Sequence, residues 1–162
     1  MEKGGRERGY HELIIYQLDE HDNEKFRHVR EYRDSDEIHD ENHLVIAKPF
    51  GHEGQQLMST RTYIDGKASG LWESWYASGQ IQDKQNYKNN SSVGKTESWY
   101  ANGQLRLRFI RNNDGQLDGL QETWYINGQP ESHCNYRNGK KYGLCEMWYR
   151  NGQHTGNTPD AQ

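Results

Sequence analysis

Long apolar runs are absent from this chain, and nothing in it approaches the ~20 consecutive apolar residues of a membrane-spanning helix. Proline is scarce, three among 162 residues, which argues against a polyproline linker. Cysteine is scarcer still, with only Cys134 and Cys145. No glycine run follows the G-x-x-x-x-G-K-[ST] spacing that cradles nucleotide phosphates. Neither a nucleophile elbow nor a zinc-protease helix occurs. The charged start Met1-Glu2-Lys3-Gly4-Gly5-Arg6-Glu7-Arg8 has no apolar signal-peptide core behind it. These absences point to a non-enzymatic, soluble, intracellular protein that is not secreted and uses no cofactor. Both cysteines are then expected reduced, and the sequons at Asn89 and Asn90 carry no glycan.

A large excess of one charge is missing too. The formal net charge is −4, which gives no general attraction to nucleic acid or anionic lipid. Its placement is uneven: residues 1–50 hold thirteen acids and eight Lys/Arg, net −5, and the remainder is near neutral. Hydrophobic residues make up only 31%, yet aromatics reach 12%, with five Trp and eleven Tyr. A disordered polar chain is poor in aromatics, so here a few large rings must supply most of the burial.

What is present is repetition. Gly70-Leu71-Trp72-Glu73-Ser74-Trp75-Tyr76, Gly94-Lys95-Thr96-Glu97-Ser98-Trp99-Tyr100, Gly119-Leu120-Gln121-Glu122-Thr123-Trp124-Tyr125 and Gly143-Leu144-Cys145-Glu146-Met147-Trp148-Tyr149 all read G-x-x-E-x-W-Y. Each is followed by Gly-Gln, at Gly79, Gly103, Gly128 and Gly152, and the tryptophans 75, 99, 124 and 148 lie 24, 25 and 24 apart. Between them runs a looser segment ending at Tyr63, Tyr87, Phe109-Ile110 or Tyr136. A turn follows at Asp65-Gly66, Asn89-Asn90, Asp114-Gly115 or Asn138-Gly139. Such dipeptides accept the positive φ of hairpin turns, so two turns per repeat imply two strands per repeat. The expected fold is all-β, an elongated antiparallel array of stacked β-hairpins.

Strand alternation puts Glu97 and Trp99 on one face and Ser98 and Tyr100 on the other. The expected repeat core is Trp75, Tyr76, Tyr87, Trp99, Tyr100, Trp124, Tyr125, Tyr136, Trp148 and Tyr149. The expected turn glycines are Gly70, Gly79, Gly94, Gly103, Gly119, Gly128, Gly139, Gly143 and Gly152. Glu73, Glu97, Glu122 and Glu146 form a column into which Lys84, Arg108 and His133 interleave; the alternative is a solvated acidic edge. One hairpin cannot stand alone, so neighbouring repeats must cover one another.

Toward the ends the pattern fades. Residues 1–8 read as a flexible start, 9–50 as a divergent N-terminal cap of eroded hairpins, 51–153 as the array and 154–162 as a disordered tail. The cap includes a strand at 44–47 preceding Gln55; its alternative is a separate small fold with a short helix near 23–33. Since no aromatic return strand follows Gly152-Gln153, the strand bearing Leu144, Met147, Trp148 and Tyr149 is expected to be an exposed edge and to form a homodimer.

The W-Y-x-N-G-Q wording at Trp99–Gln104 and Trp124–Gln129, with Tyr136-Arg137-Asn138-Gly139-Lys140, resembles the short variant of the MORN-repeat family. It is most similar to the MORN-repeat proteins of Marseillevirus-like giant viruses, which would place the chain in host cytoplasm or virion. The resemblance covers 55–153 well and 9–54 poorly. It implies a twisted sheet of hairpins, often dimeric, without catalysis by the repeats, serving protein–protein interaction or scaffolding. The alternative is peripheral binding of anionic membrane lipid through the sheet, drawing on Lys84, Lys88, Lys95, Arg106, Arg108, Arg111, Arg137, Lys140 and Lys141.

Other candidate chemistry is thin. His39 and His43 would share a face only if helical, and their surroundings favour a loop or strand, so no metal site is assigned. Cys134 and Cys145 flank the Asn138-Gly139 turn about symmetrically and could face each other across a hairpin; the expected intracellular setting favours two thiols.

Overall fold

The computed structural model of the chain describes residues 10–21, 23–34 and 55–158. Among the described residues there is no helix. Twelve strands make one sheet: β1 (Tyr10–Leu18), β2 (Glu24–Asp34), β3 (Gln55–Ile64), β4 (Lys67–Ala68), β5 (Gly70–Trp75), β6 (Ile81–Lys88), β7 (Ser91–Trp99), β8 (Leu105–Arg111), β9 (Gly119–Trp124), β10 (Pro130–Arg137), β11 (Lys140–Trp148) and β12 (His154–Thr158). Strands follow one another in chain order across the sheet, all pairs antiparallel, with only the short β4 off the path against β3.

Two kinds of turn alternate, and each follows from its residues. Asp65-Gly66, Asn89-Asn90 and Asn138-Gly139 hold both central residues at positive φ, 49 and 70, 49 and 69, 49 and 79°. That is the two-residue turn whose twist matches a hairpin. The other turn follows each W-Y pair. Tyr100 N donates to Gln104 O at 2.8 Å and Gly103 N to Tyr100 O at 2.9 Å, and the same closure recurs at Tyr76, Tyr125 and Tyr149. The Asn102 side-chain oxygen braces it by accepting from Gln104 N at 3.1 Å. In the middle repeat, Asn112–Gln116 adopts this second closure, with Asn112 N on Gln116 O at 2.9 Å, where the other repeats turn in two residues. This accounts for the single 25-residue spacing.

Repeats are stitched by side chains that reach one unit ahead. The tyrosine hydroxyls of Tyr76, Tyr100 and Tyr125 donate to the carbonyls of Trp99, Trp124 and Trp148 at 2.7, 2.9 and 2.9 Å. Asn102 and Asn127 donate likewise to Ile126 O and Arg150 O, both at 2.9 Å. Glycine at 128 suits its turn because its φ is +82°, a conformation that L side chains rarely adopt.

Covering is shallow. No side chain among the described residues is fully buried, and the aromatic columns Trp75, Tyr76, Tyr87, Trp99, Tyr100, Trp124, Tyr125, Tyr136 and Trp148 are half-buried. Tyr149 departs from its column: it is 57% exposed, because no further repeat among the described residues lies over it.

Several expectations change. Gly94 and Gly143 sit inside β7 and β11, and Gly70 and Gly119 open β5 and β9, all at positive φ, so they are strand irregularities and not turns. For Gly94 and Gly143 the cause is register: β7 slips against β6 between Gln85 and Asn86, and β11 slips against β10 between Cys134 and Tyr136. The helix alternative at 23–33 gives way to strand β2, paired on both sides by β1 and β3. The strand expected at 44–47 lies outside the described residues, as do 1–8, His39 and His43; β3 takes β2 as its partner instead. The tail expected to be disordered from 154 contributes β12, which pairs β11 from Trp148↔His154 to Cys145↔Thr158. The strand bearing Leu144, Met147, Trp148 and Tyr149 is therefore not the sheet edge, since His154, Gly156, Asn157 and Thr158 pair with it.

Replacing Tyr100 or Tyr125 by Phe removes one inter-repeat hydrogen bond and is expected to lower stability by about 0.5–1.5 kcal/mol. Tyr149→Phe is expected to change nothing. Urea unfolding midpoints of the three variants check this, and an equal loss at Tyr149 would contradict the stitching.

Candidate interaction surface

A row of alternating charge crosses one face of the sheet. The register runs Glu73↔Lys84↔Glu97↔Arg108↔Glu122↔His133↔Glu146, one residue per strand from β5 to β11. Lys84 Nζ meets Glu73 Oε1 at 3.0 Å, and Arg108 holds Glu122 Oε2 through Nη2 at 2.6 Å and Nε at 2.7 Å. Glu97 takes Lys95, two residues back on its own strand, at 2.7 Å. The interleaved arrangement thus prevails over a bare acidic edge, because antiparallel pairing leaves a return-strand residue between each two acids.

At the sixth position the pattern changes. His133 lies between Trp124 and Trp148, with ring centroids 6.1 and 4.7 Å away, both edge-on, and Trp148 continues to His154 at 5.3 Å. Its Nε2 is buried without a hydrogen-bond partner. Two positions earlier, the Arg108 guanidinium stands 5.4 Å from the Trp124 ring. The tryptophans are therefore spaced by cationic or imidazole side chains on this face.

Beside the charged row runs an aliphatic one: Leu71, Ile110, Leu120 and Leu144, each two residues from a member of the charged row and each exposed. The opposite face carries a signal the repeat alignment passes over. Trp72, outside the W-Y columns, packs against Tyr63 at 5.3 Å and Tyr87 at 4.4 Å and donates from Nε1 to Thr62 O at 3.0 Å. Arg27 covers Tyr63 at 4.3 Å, which ties β2 into the array.

The terminal hairpin is the most open part of the array. Tyr142, Leu144 and Tyr149 are 53, 58 and 57% exposed, and Met147 is exposed with them. A shallow depression lined by Asp118, Asn135, Arg137 and Tyr142 lies beside it. Arg137 sits 4.0 Å over the Tyr142 ring. Cys134 and Cys145, expected as two thiols, face each other in register with Cα atoms 4.3 Å apart and are joined as a disulfide. The expectation of thiols rested on compartment; direct cross-strand opposition brings the sulfurs together.

No group of three or more His, Cys, Asp or Glu able to hold a metal occurs among the described residues. No helix there is long and apolar enough to cross a membrane. The basic pool is largely engaged: Lys84, Lys95 and Arg108 pair with acids, Arg106 donates to Ser98 Oγ at 3.2 Å, and Arg111 donates to Gly115 O at 2.8 Å.

His28 lies on β2 with Nδ1 2.9 Å from Thr62 Oγ1, and Arg30 Nε donates to its Nε2 at 3.2 Å. Burial, then the Arg30 charge, holds its pKa below the usual 6.5. A depressed folded value favours the neutral ring, so its contribution to the β2–β3 contact is present above pH 6.5 and lost as pH falls through the folded value. NMR titration is expected to place the His28 midpoint below 6.5, with lower amide protection factors in β2 and β3 on acidification; a midpoint above 6.5 refutes this. A double-mutant cycle on Arg108 and Glu122 is expected to give a coupling of about 1 kcal/mol, and a cycle on the more exposed Lys95–Glu97 pair less than about 0.5. Equal couplings would remove the special role of the doubly held Glu122.

The family model of the MORN repeat variant matches residues 68–89, 92–110 and 117–138. No curated protein matches the chain. The matched segments coincide with the hairpins β5–β6, β7–β8 and β9–β10, so three of its units are similar to MORN repeats, which are generally linked to protein or membrane-lipid interaction and are not an enzyme family.

Proposed function

We propose that this chain is a protein-interaction module, a scaffold surface that also associates with a second copy of itself through the β11–β12 end. The observation carrying this reading is the concentration of exposed Tyr142, Leu144, Met147 and Tyr149 on one hairpin next to the last strand of the sheet. Exposed apolar patches on a sheet with an unpaired strand beside them favour protein contact.

Topology supports one geometry for self-association. Eleven strands lie on the path and every neighbour is antiparallel, so β1 and β12 run the same way. Head-to-tail joining would make a parallel pair between them. Two β12 strands meeting across a two-fold axis continue the antiparallel ladder. A viral setting, in host cytoplasm or virion, belongs to the same reading and draws only on the W-Y-x-N-G-Q wording.

Lipid binding has less to draw on, since Lys84, Lys95 and Arg108 are committed to acids within the sheet. Sedimentation equilibrium at about 100 μM is expected to return the mass of two chains, and Leu144→Ser/Tyr149→Ser the mass of one with an unchanged β signal. A wild-type monomer at that concentration overturns self-association. Co-sedimentation with phosphatidylserine vesicles that weakens with salt would replace the protein reading by the lipid one.

A further inference from the structure

We propose that Cys134 and Cys145 form a reversible dithiol/disulfide lock that decides whether the terminal strands β11 and β12 stay fastened to the array. The pair is unlike the rest of the repeat. At the equivalent position between β6 and β7, Gln85 faces Thr96. Only between β10 and β11 do two sulfurs oppose each other, Cα to Cα 4.3 Å.

Its position is where a fastening has most effect. The β10–β11 register slips between Cys134 and Tyr136, and Gly143, two residues before Cys145, takes φ +78°. The ladder is therefore interrupted next to the pair. Beyond β11 only β12 follows among the described residues, and it is five residues long. The charged row weakens here as well: where Lys84 and Arg108 hold neighbouring acids, His133 presents an imidazole with Nε2 unpartnered. A covalent tie across 11 residues of chain restricts the opening of this end.

Both cysteines are buried, 6 and 3% exposed, among the most covered residues described. Exchange with an external thiol thus requires β11 to lift, so lock and opening are coupled. The chemistry needs a low-molecular-weight disulfide, such as glutathione disulfide, as oxidant. One cysteine thiolate attacks it, forming a mixed disulfide and releasing one glutathione thiolate. The second cysteine thiolate attacks the protein sulfur of that intermediate and releases the other. Two electrons and two protons leave the pair and reappear in two glutathione thiols; reduction is the reverse.

The test equilibrates the full chain in glutathione buffers of graded ratio, counts thiols by alkylation and mass spectrometry, and measures amide exchange in the same samples. The expected result is a two-thiol form converting to a no-thiol form as the ratio becomes oxidising. Amides of β11 and β12 should exchange at least about tenfold faster in the two-thiol form, while those of β6 to β8 stay within about twofold. A chain that keeps both thiols at the most oxidising ratio overturns the proposal, as does equal exchange in the two forms. Cys134→Ser/Cys145→Ser is expected to exchange like the two-thiol form at every ratio; a glutathione response surviving in that variant also overturns it. The comparison of wild-type states stands whether or not the variant folds, and it does not depend on self-association.

Discussion

The tyrosine hydroxyl that reaches from one repeat to the tryptophan carbonyl of the next does a task that a second structural layer performs in most β-proteins. Among the described residues nothing covers either face of this sheet, so each ring is sheltered only by side chains on adjoining strands. A single hairpin could not order itself on such terms. When Tyr76, Tyr100 and Tyr125 each bind one unit ahead, the repeats share their stability as neighbours in a one-dimensional stack.

That dependence explains the other regularities. For the hydroxyl to meet the carbonyl, successive units must keep the same register, and the W-Y-x-N-G-Q turn enforces it through the same two backbone bonds each time. A constant register then sets acids on one strand against Lys84, Arg108 and His133 on the next, which turns a column of like charges into alternating pairs. It also leaves the aliphatic positions Leu71, Ile110, Leu120 and Leu144 facing outward together. The same periodicity that stabilises the sheet thus builds an exposed, patterned surface.

The ends show what happens when the pattern lapses. At the N-terminal side β2 joins through Phe26↔Ile64 to Asp34↔Gln55 and through Arg27 on Tyr63, with no W-Y motif to announce it. At the other side β12 carries Gly156 and Asn157, poor strand formers by composition, yet the edge of β11 supplies their partners. A disulfide there adds covalent restraint where side-chain stitching runs out.

Much of this architecture was legible in the residues themselves. The 24- and 25-residue spacing, the paired positive-φ dipeptides and the strand alternation determine hairpins, faces and the charged row, because these are local or nearest-neighbour properties repeated four times. Gly94 and Gly143 were misread as turns because positive φ serves a strand irregularity as well as a turn, and only the partner strand's register distinguishes them. Trp72, the β2–β3 pairing, the docking of β12 and the bonding of Cys134 to Cys145 were decided by the tertiary structure alone. Each depends on which strand lies alongside and in what register, and that information belongs to the assembled sheet and not to any segment of the chain.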